Sequence, residues 1–251
     1  MIEVKNIVKK FGEQTVLKGV STRFEAGMTN LIIGQSGSGK TVFLKSLLGI
    51  HTPDSGTISF DGRIYSELSN DERRELRTEI GMVFQGSALF DSMTVEENIG
   101  FPLKMFTNKS AKEIKERVDF VIDRVHLVNA HQKRPSEISG GMQKRVAIAR
   151  AIVNNPKYLF CDEPNSGLDP QTANLIDDLI MELTKEYEMT TVVVTHDMNS
   201  VLEIGEKVYF LYKGKIWWSG DRDTILHSDN KELNAFVFSS DLTRRLKPTK
   251  K

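Results

Sequence analysis

Residues Gly34-Gln35-Ser36-Gly37-Ser38-Gly39-Lys40-Thr41 fit the pattern G-x-x-x-x-G-K-[ST] without a mismatch. Each fixed position has a separate physical task. The glycines let the backbone turn tightly and point its N–H groups inward at a phosphate chain. Lys40 supplies a mobile positive charge for the outer phosphates, and Thr41 offers a hydroxyl to Mg²⁺. Asp162 and Glu163 are a second candidate pair, directly after the apolar run Tyr158-Leu159-Phe160-Cys161. Adjacent carboxylates at the C-terminal edge of a strand stand where open α/β sheets bind ligands. They point in different directions, so one can hold Mg²⁺ through water while the other polarises an attacking water.

Three further groups are weaker alone. Gln85 ends the apolar run Ile80 to Phe84, where an amide could contact Mg²⁺ or water and report nucleotide state to the residues after it. His196 ends the strand at 190–195 in the same way, a position suited to sensing a terminal phosphate. Ser139-Gly140-Gly141 precedes a helical stripe of Met142, Val146, Ala149 and Val153, and a helix start of that kind is an anion site. One phosphate chain already has its loop, so this second site points to a nucleotide held by another molecule.

The elements that must position these residues read as α/β. Thr29 to Ile33 is a short buried strand before the loop; Val42 to Leu48 is a helix after it, with Phe43, Leu44, Leu47 and Leu48 on one face and Gly49 as its stop. Thr57 to Phe60 with Asp61-Gly62 predicts a strand and hairpin turn. Residues from about 88 to 155 read as a mostly helical inserted lobe. Within it Ser110 and Glu113 form a capping box, followed by Ile114, Val118, Val121 and Val125 at helical spacing. A second helix runs from about Gly141 to Asn154. Residues 86–106 read as loop-rich and unusually apolar, through Leu89, Phe90, Met93, Phe101, Met105 and Phe106. Asp169 and Pro170 start a helix with Leu175, Ile176, Leu179, Ile180 and Leu183 as its apolar face. Val208 to Tyr212 and Lys215 to Ser219 form a late hairpin about Lys213-Gly214.

Composition narrows the function. Lys plus Arg and Asp plus Glu balance at 34 each in 251 residues, which gives no sign of nucleic-acid binding by bulk charge. The single Cys161 cannot form an internal disulfide and suits a reducing cytoplasm. The N-terminus lacks the apolar core of a signal peptide, and no apolar run approaches the roughly 18 residues of a membrane span. The chain is therefore expected to be soluble by itself, with any membrane role coming through a partner.

The motifs in chain order are the phosphate loop, Gln85, Ser139-Gly140-Gly141, Asp162-Glu163, Ser166-Gly167-Leu168-Asp169 and His196. In that order the chain resembles an ATP-binding-cassette (ABC) ATPase subunit over nearly its whole length. The resemblance implies an α/β fold: a P-loop NTPase (RecA-like) core with an N-terminal antiparallel β subdomain and an inserted α-helical subdomain. One ATPase domain would span residues 1–240, followed by a basic tail over 241–251. It implies that Gly34, Gln35, Ser36, Gly37, Ser38, Gly39, Lys40 and Thr41 bind the phosphates of ATP, with Thr41, Gln85 and Asp162 serving Mg²⁺. Glu163 would be the general base, and His196 would contact the terminal phosphate. Phe11 would stack on adenine with Val16 beside it. Ser139 and Gly141 would contact the phosphate held by the opposite subunit of a homodimer, with Asp169 at the seam.

Two residues depart from the family's usual pattern. Met142 stands where the signature usually has Gln, and it cannot donate an amide hydrogen bond. Phe11 replaces the commoner Tyr. The Met-bearing run Ser139 to Arg145, and Gly86 to Val95 with Asn98 and Phe101-Pro102-Leu103, resemble the Mla-type phospholipid-transport subgroup. That resemblance implies an integral membrane permease partner, a periplasmic lipid-binding subunit and a small regulatory subunit. It places the protein on the cytoplasmic face of the inner membrane, peripheral through its partners. The tail from Thr243 to Lys251 could brace the dimer. The rival expectations are the same engine for an amino acid, a metal or a lipoprotein, and a non-transport cassette ATPase.

Overall fold

The computed structural model describes residues 1–239; the basic tail lies outside the described residues. In chain order the elements are β1 (Ile2–Phe11), β2 (Gln14–Phe24), β3 (Met28–Ile33), α1 (Lys40–Leu47), β4 (Ser55–Phe60), β5 (Arg63–Ile64), α2 (Asn70–Thr78), β6 (Ile80–Val83) and α3 (Val95–Phe106). Next come α4 (Ala111–Arg124), α5 (Gly140–Ile152), β7 (Tyr158–Asp162), α6 (Pro170–Glu186), β8 (Thr190–Val194), α7 (Met198–Ile204), β9 (Lys207–Tyr212), β10 (Lys215–Gly220) and α8 (Lys231–Val237). Two compact units divide the chain: residues 1–69 with those from 190 onward, and residues 70–189.

In the first unit β2, β1, β4 and β5 pair antiparallel in that order. Asp61 and Gly62 join β4 to β5 at φ 47° and 83°, the two left-handed residues that a tight hairpin needs. β3 lies parallel between β8 and β9, and β10 returns antiparallel on β9. β8 is buried along its whole length, as its run of β-branched residues requires. Asn30, fully buried in β3, donates to the carbonyls of Glu25, Met28 and Thr191 and accepts from the Glu25 amide, so its polar atoms are satisfied. Phe43, Leu44 and Leu47 of α1 are buried, while Leu48 is only half-buried.

In the second unit β6 and β7 pair in parallel. Every element between residues 95 and 152 is helical. The α4 capping box forms as expected, with Ser110 and Glu113 exchanging both bonds. The loop-rich reading of 86–106 holds only over 86–94; Val95–Phe106 is a helix, opened by a Thr94–Glu97 capping box of the same kind. Pro102 inside it removes one backbone donor. The stripe Val95, Ile99 and Leu103 is buried nonetheless. Leu175 also departs from expectation, at 48% exposed. At about 100° per residue it falls at the outer edge of the arc of Ile176, Leu179, Ile180 and Leu183, all buried.

Candidate active site

The phosphate-type loop leaves the C-terminal end of β3. Gly34 takes φ 153°, and a Cβ there would stand 2.3 Å from the Leu211 carbonyl oxygen, so no side chain fits. Lys40 opens α1, is 8% exposed, and folds back to donate to the carbonyls of Gly34 (2.7 Å) and Gln35 (3.1 Å). Gly39 stands before α1 with no side-chain cap, and the first turn carries no acidic residue. The amide ends of α1 therefore present their partial positive charge to the loop. Ser38 Oγ is buried and lacks a hydrogen-bond partner. A buried hydroxyl without a partner, on a loop that leads into the amide end of α1, fits a phosphate oxygen. Gln35, Ser36, Gly37 and Thr41 are exposed on the same turn.

Strand register brings His196 to this edge. β3 pairs with β8 from Met28↔Thr190 to Ile32↔Val194, and the Thr195 amide donates to the Ile32 carbonyl. Two residues beyond the last pair come Gly34 and His196. Val16 is half-buried beside the loop, its Cγ1 3.4 Å from where a Gly39 side chain would begin. Phe11 is 45% exposed, with the His51 ring edge-on at 5.3 Å and the Lys9 ammonium 5.3 Å from its centroid.

The second unit carries the other candidates. β6 pairs with β7 from Ile80↔Tyr158 to Val83↔Cys161. Two residues beyond come Gln85 and Glu163, and the Gln85 amide donates to Glu163 Oε2 at 3.0 Å and to Ser166 Oγ at 3.4 Å. Glu163 holds φ 46°, a left-handed backbone that costs a non-glycine residue about 1–2 kcal/mol. Asp162, the last residue of β7, is half-buried. Among the described residues no cluster of three or more His, Cys, Asp or Glu could hold a metal.

Ser139 is exposed and caps α5, accepting from the Met142 amide at 3.3 Å, so its own O–H remains the group it can present to an anion. Gly141 packs on α6; a Cβ there would lie 2.7 Å from the Thr172 methyl. Gln143 donates to the Pro135 carbonyl at 2.9 Å and so is engaged away from the signature position. Asp169 caps α6 through the Thr172 amide, and hydrogen bonds from Thr172 hold its carboxyl below the ordinary range.

Sequence reasoning missed two groups here. Lys144 of α5 is 5% exposed and donates to the Gln85 carbonyl. Burial pushes its pKa down, and the Glu163 carboxylate opposes that shift. A lysine amid the buried stripe of α5 was the available signal. Asn165 donates to Asp177 at 3.1 Å, both nearly fully buried, which ties the segment after Glu163 to α6. Nothing local in the sequence pairs those two positions.

The family model described as "ABC transporter" matches residues 17–166. The chain belongs to the ABC transporter family. It is 39% identical over 236 residues to the probable ribonucleotide transport ATP-binding protein mkl of Mycobacterium leprae, covering 94% of this chain and 68% of that one. It is 37% identical over 242 residues to the methionine import ATP-binding protein MetN of Clostridium tetani (96% and 76%). It is 37% identical over 257 residues to Arabidopsis thaliana TRIGALACTOSYLDIACYLGLYCEROL 3, chloroplastic (96% and 74%). Among solved structures, the ATP-binding cassette MJ0796, a dimer in a post-hydrolysis state bound to ADP and Pi, matches with TM-score 0.79 and 33% identity. That match covers 88% of this chain and 99% of the cassette. This ABC protein is an ATPase that couples hydrolysis to transport, on the α/β P-loop NTPase fold. No helix among its described residues is long and apolar enough to cross a membrane.

Proposed function

We propose that this ATPase energises phospholipid transport between bacterial membranes through a membrane permease. The observation that carries the reading is an apolar groove in the second unit, to which the stretch that resembles the lipid-transport subgroup contributes Ala88, Phe90, Phe101 and Pro102. Its volume is about 540 Å³, and Phe84, Phe90, Phe101, Pro102 and Phe106 line it. Phe90 and Phe101 meet at 4.8 Å between ring centroids. Asn98, fully buried, fixes the approach: it accepts from the Phe90 amide and donates to the carbonyls of Phe90, Met93 and Thr94. An exposed apolar groove of this kind takes an amphipathic helix of a partner, here the permease. Attachment through that partner makes the ATPase peripheral on the cytoplasmic face.

In this reading two copies close around two ATP molecules, as likeness to the dimeric MJ0796 cassette supports. Residues Gly34 to Thr41 hold the phosphates, Phe11 and Val16 flank adenine, and Ser139 and Gly141 face the partner copy's nucleotide. Mg²⁺ keeps several waters and needs few protein ligands besides substrate phosphates. Thr41, Gln85 and Asp162 would supply ligands of that kind. Glu163 takes the proton from the attacking water, and His196 contacts the terminal phosphate. Residues 1–240 form the ATPase domain, with 88–155 inserted in it. A periplasmic lipid-binding subunit and a small regulatory subunit complete the assembly.

A second reading, amino-acid import, is favoured by the MetN likeness. Reconstituting the full chain with its membrane partners separates the two. ATP-dependent movement of a fluorescent phospholipid, abolished by Phe90→Asp, is the expected result. Hydrolysis stimulated by methionine and indifferent to phospholipid would overturn it.

A further inference from the structure

Helix α5 lies against β6 in a way that sets what its side chains reach. A Cβ on Gly81 would stand 2.4 Å from the Ala151 carbonyl oxygen, so the end of the helix rests on bare strand backbone. From Ala151 back to Lys144 is about 10 Å of helix. From Gly81 on to Gln85 is about 13 Å of strand. Helix and strand therefore run side by side in opposite directions, and Lys144 arrives at the strand exit, where it donates to the Gln85 carbonyl. Six residues further along α5, Arg150 donates to the carbonyls of Ser87 and Ala88, at 2.8 Å each. Those two residues are held in left-handed backbone, at φ 62° and 48°. The segment after β6 thus hangs from two cations of α5.

We propose that Lys144 is a positioning residue for ATP hydrolysis. By holding the Gln85 carbonyl it fixes the strand exit from which the Gln85 amide orients the Glu163 carboxylate. The proposal rests on the reading of Glu163 as general base. A purely structural role fits the position poorly. Burying an ammonium costs several kcal/mol unless it is compensated, and an apolar chain of equal length would fill the same slot without that cost. The charged end is aimed instead at the backbone of the residue whose side chain grips Glu163.

The test is Lys144→Met in the full chain, with steady-state ATP hydrolysis and thermal melting measured together. The expected result is a kcat about tenfold lower, the rate equivalent of one buried charged hydrogen bond. The KM for ATP stays within about twofold because the phosphate loop is untouched, and the melting temperature is not lowered. Lys144→Gln keeps a donor for the Gln85 carbonyl and is expected to retain more kcat than the Met variant. An unchanged kcat, a Gln variant no better than Met, or a Met variant that melts early or does not fold would each overturn the assignment. Glu163→Gln measured alongside separates the two readings. If it hydrolyses ATP at the wild-type rate, the base assignment fails. If it is inactive and Lys144→Met is not impaired, only the role of Lys144 fails.

Discussion

Two strand edges carry the candidate site residues of this protein, and they are built in different ways. The edge at β3 is made mainly from one contiguous run, Gly34 to Thr41, with His196 brought to it by the register of β8. Its candidate anion-binding groups are backbone amides, a helix end and Lys40, which folds back on the carbonyls of its own loop. The edge at β6 and β7 is made from residues 78 positions apart, Gln85 and Glu163. Only strand register joins them, and only the approach of α5 brings Lys144 to the same place. The first edge is a local device that tolerates movement elsewhere. The second depends on packing, so it can respond to whatever docks on the segment after β6.

That contrast predicts different failures. The largest effect is expected from Glu163→Gln, which should cut kcat by about 10²–10⁴-fold, the usual range for losing a general base, with ATP affinity kept. Lys40→Met should do the converse, weakening ATP binding by about 10–100-fold through loss of a charge-assisted contact. Calorimetric titration of both variants with ATP, beside their rates, checks the pair; equal losses of affinity would break the comparison. Gly81→Ala should act at the second edge without touching any candidate residue. The new Cβ meets backbone that cannot rotate away, and urea denaturation should show a loss of about 1–3 kcal/mol. Its hydrolysis should fall while ATP affinity holds. The smallest effect belongs to Phe11→Ala, about fivefold in ATP affinity, as expected for one stacked ring. Phe11→Tyr should be neutral, and a fluorescent nucleotide titration would show either change.

Much of this was legible in sequence where the signal was local. The phosphate-type loop, the Ser110–Glu113 box, the Asp61-Gly62 turn and the Asp169-Pro170 helix start each lie within a few residues of their partners. Helix α3 was legible in principle, since Thr94 and Glu97 repeat the spacing of Ser110 and Glu113. Leu175 was misplaced because its neighbours are apolar and periodicity alone does not fix the edge of a buried arc. The Asn165–Asp177 bond and the reach of Lys144 had no local signal at all.

The sequence by itself determined the candidate groups for phosphate and the identity of each candidate for hydrolysis. Backbone geometry over eight residues suffices for the first, and side-chain chemistry for the second. The tertiary structure alone decided which candidates meet. Parallel register sets Gln85 on Glu163 and His196 beside Gly34, and register depends on side chains across the sheet rather than on neighbours in the chain. It also decided that a lysine inside a buried stripe should end at the Gln85 carbonyl, because only the missing side chain of Gly81 lets α5 lie close enough to deliver it.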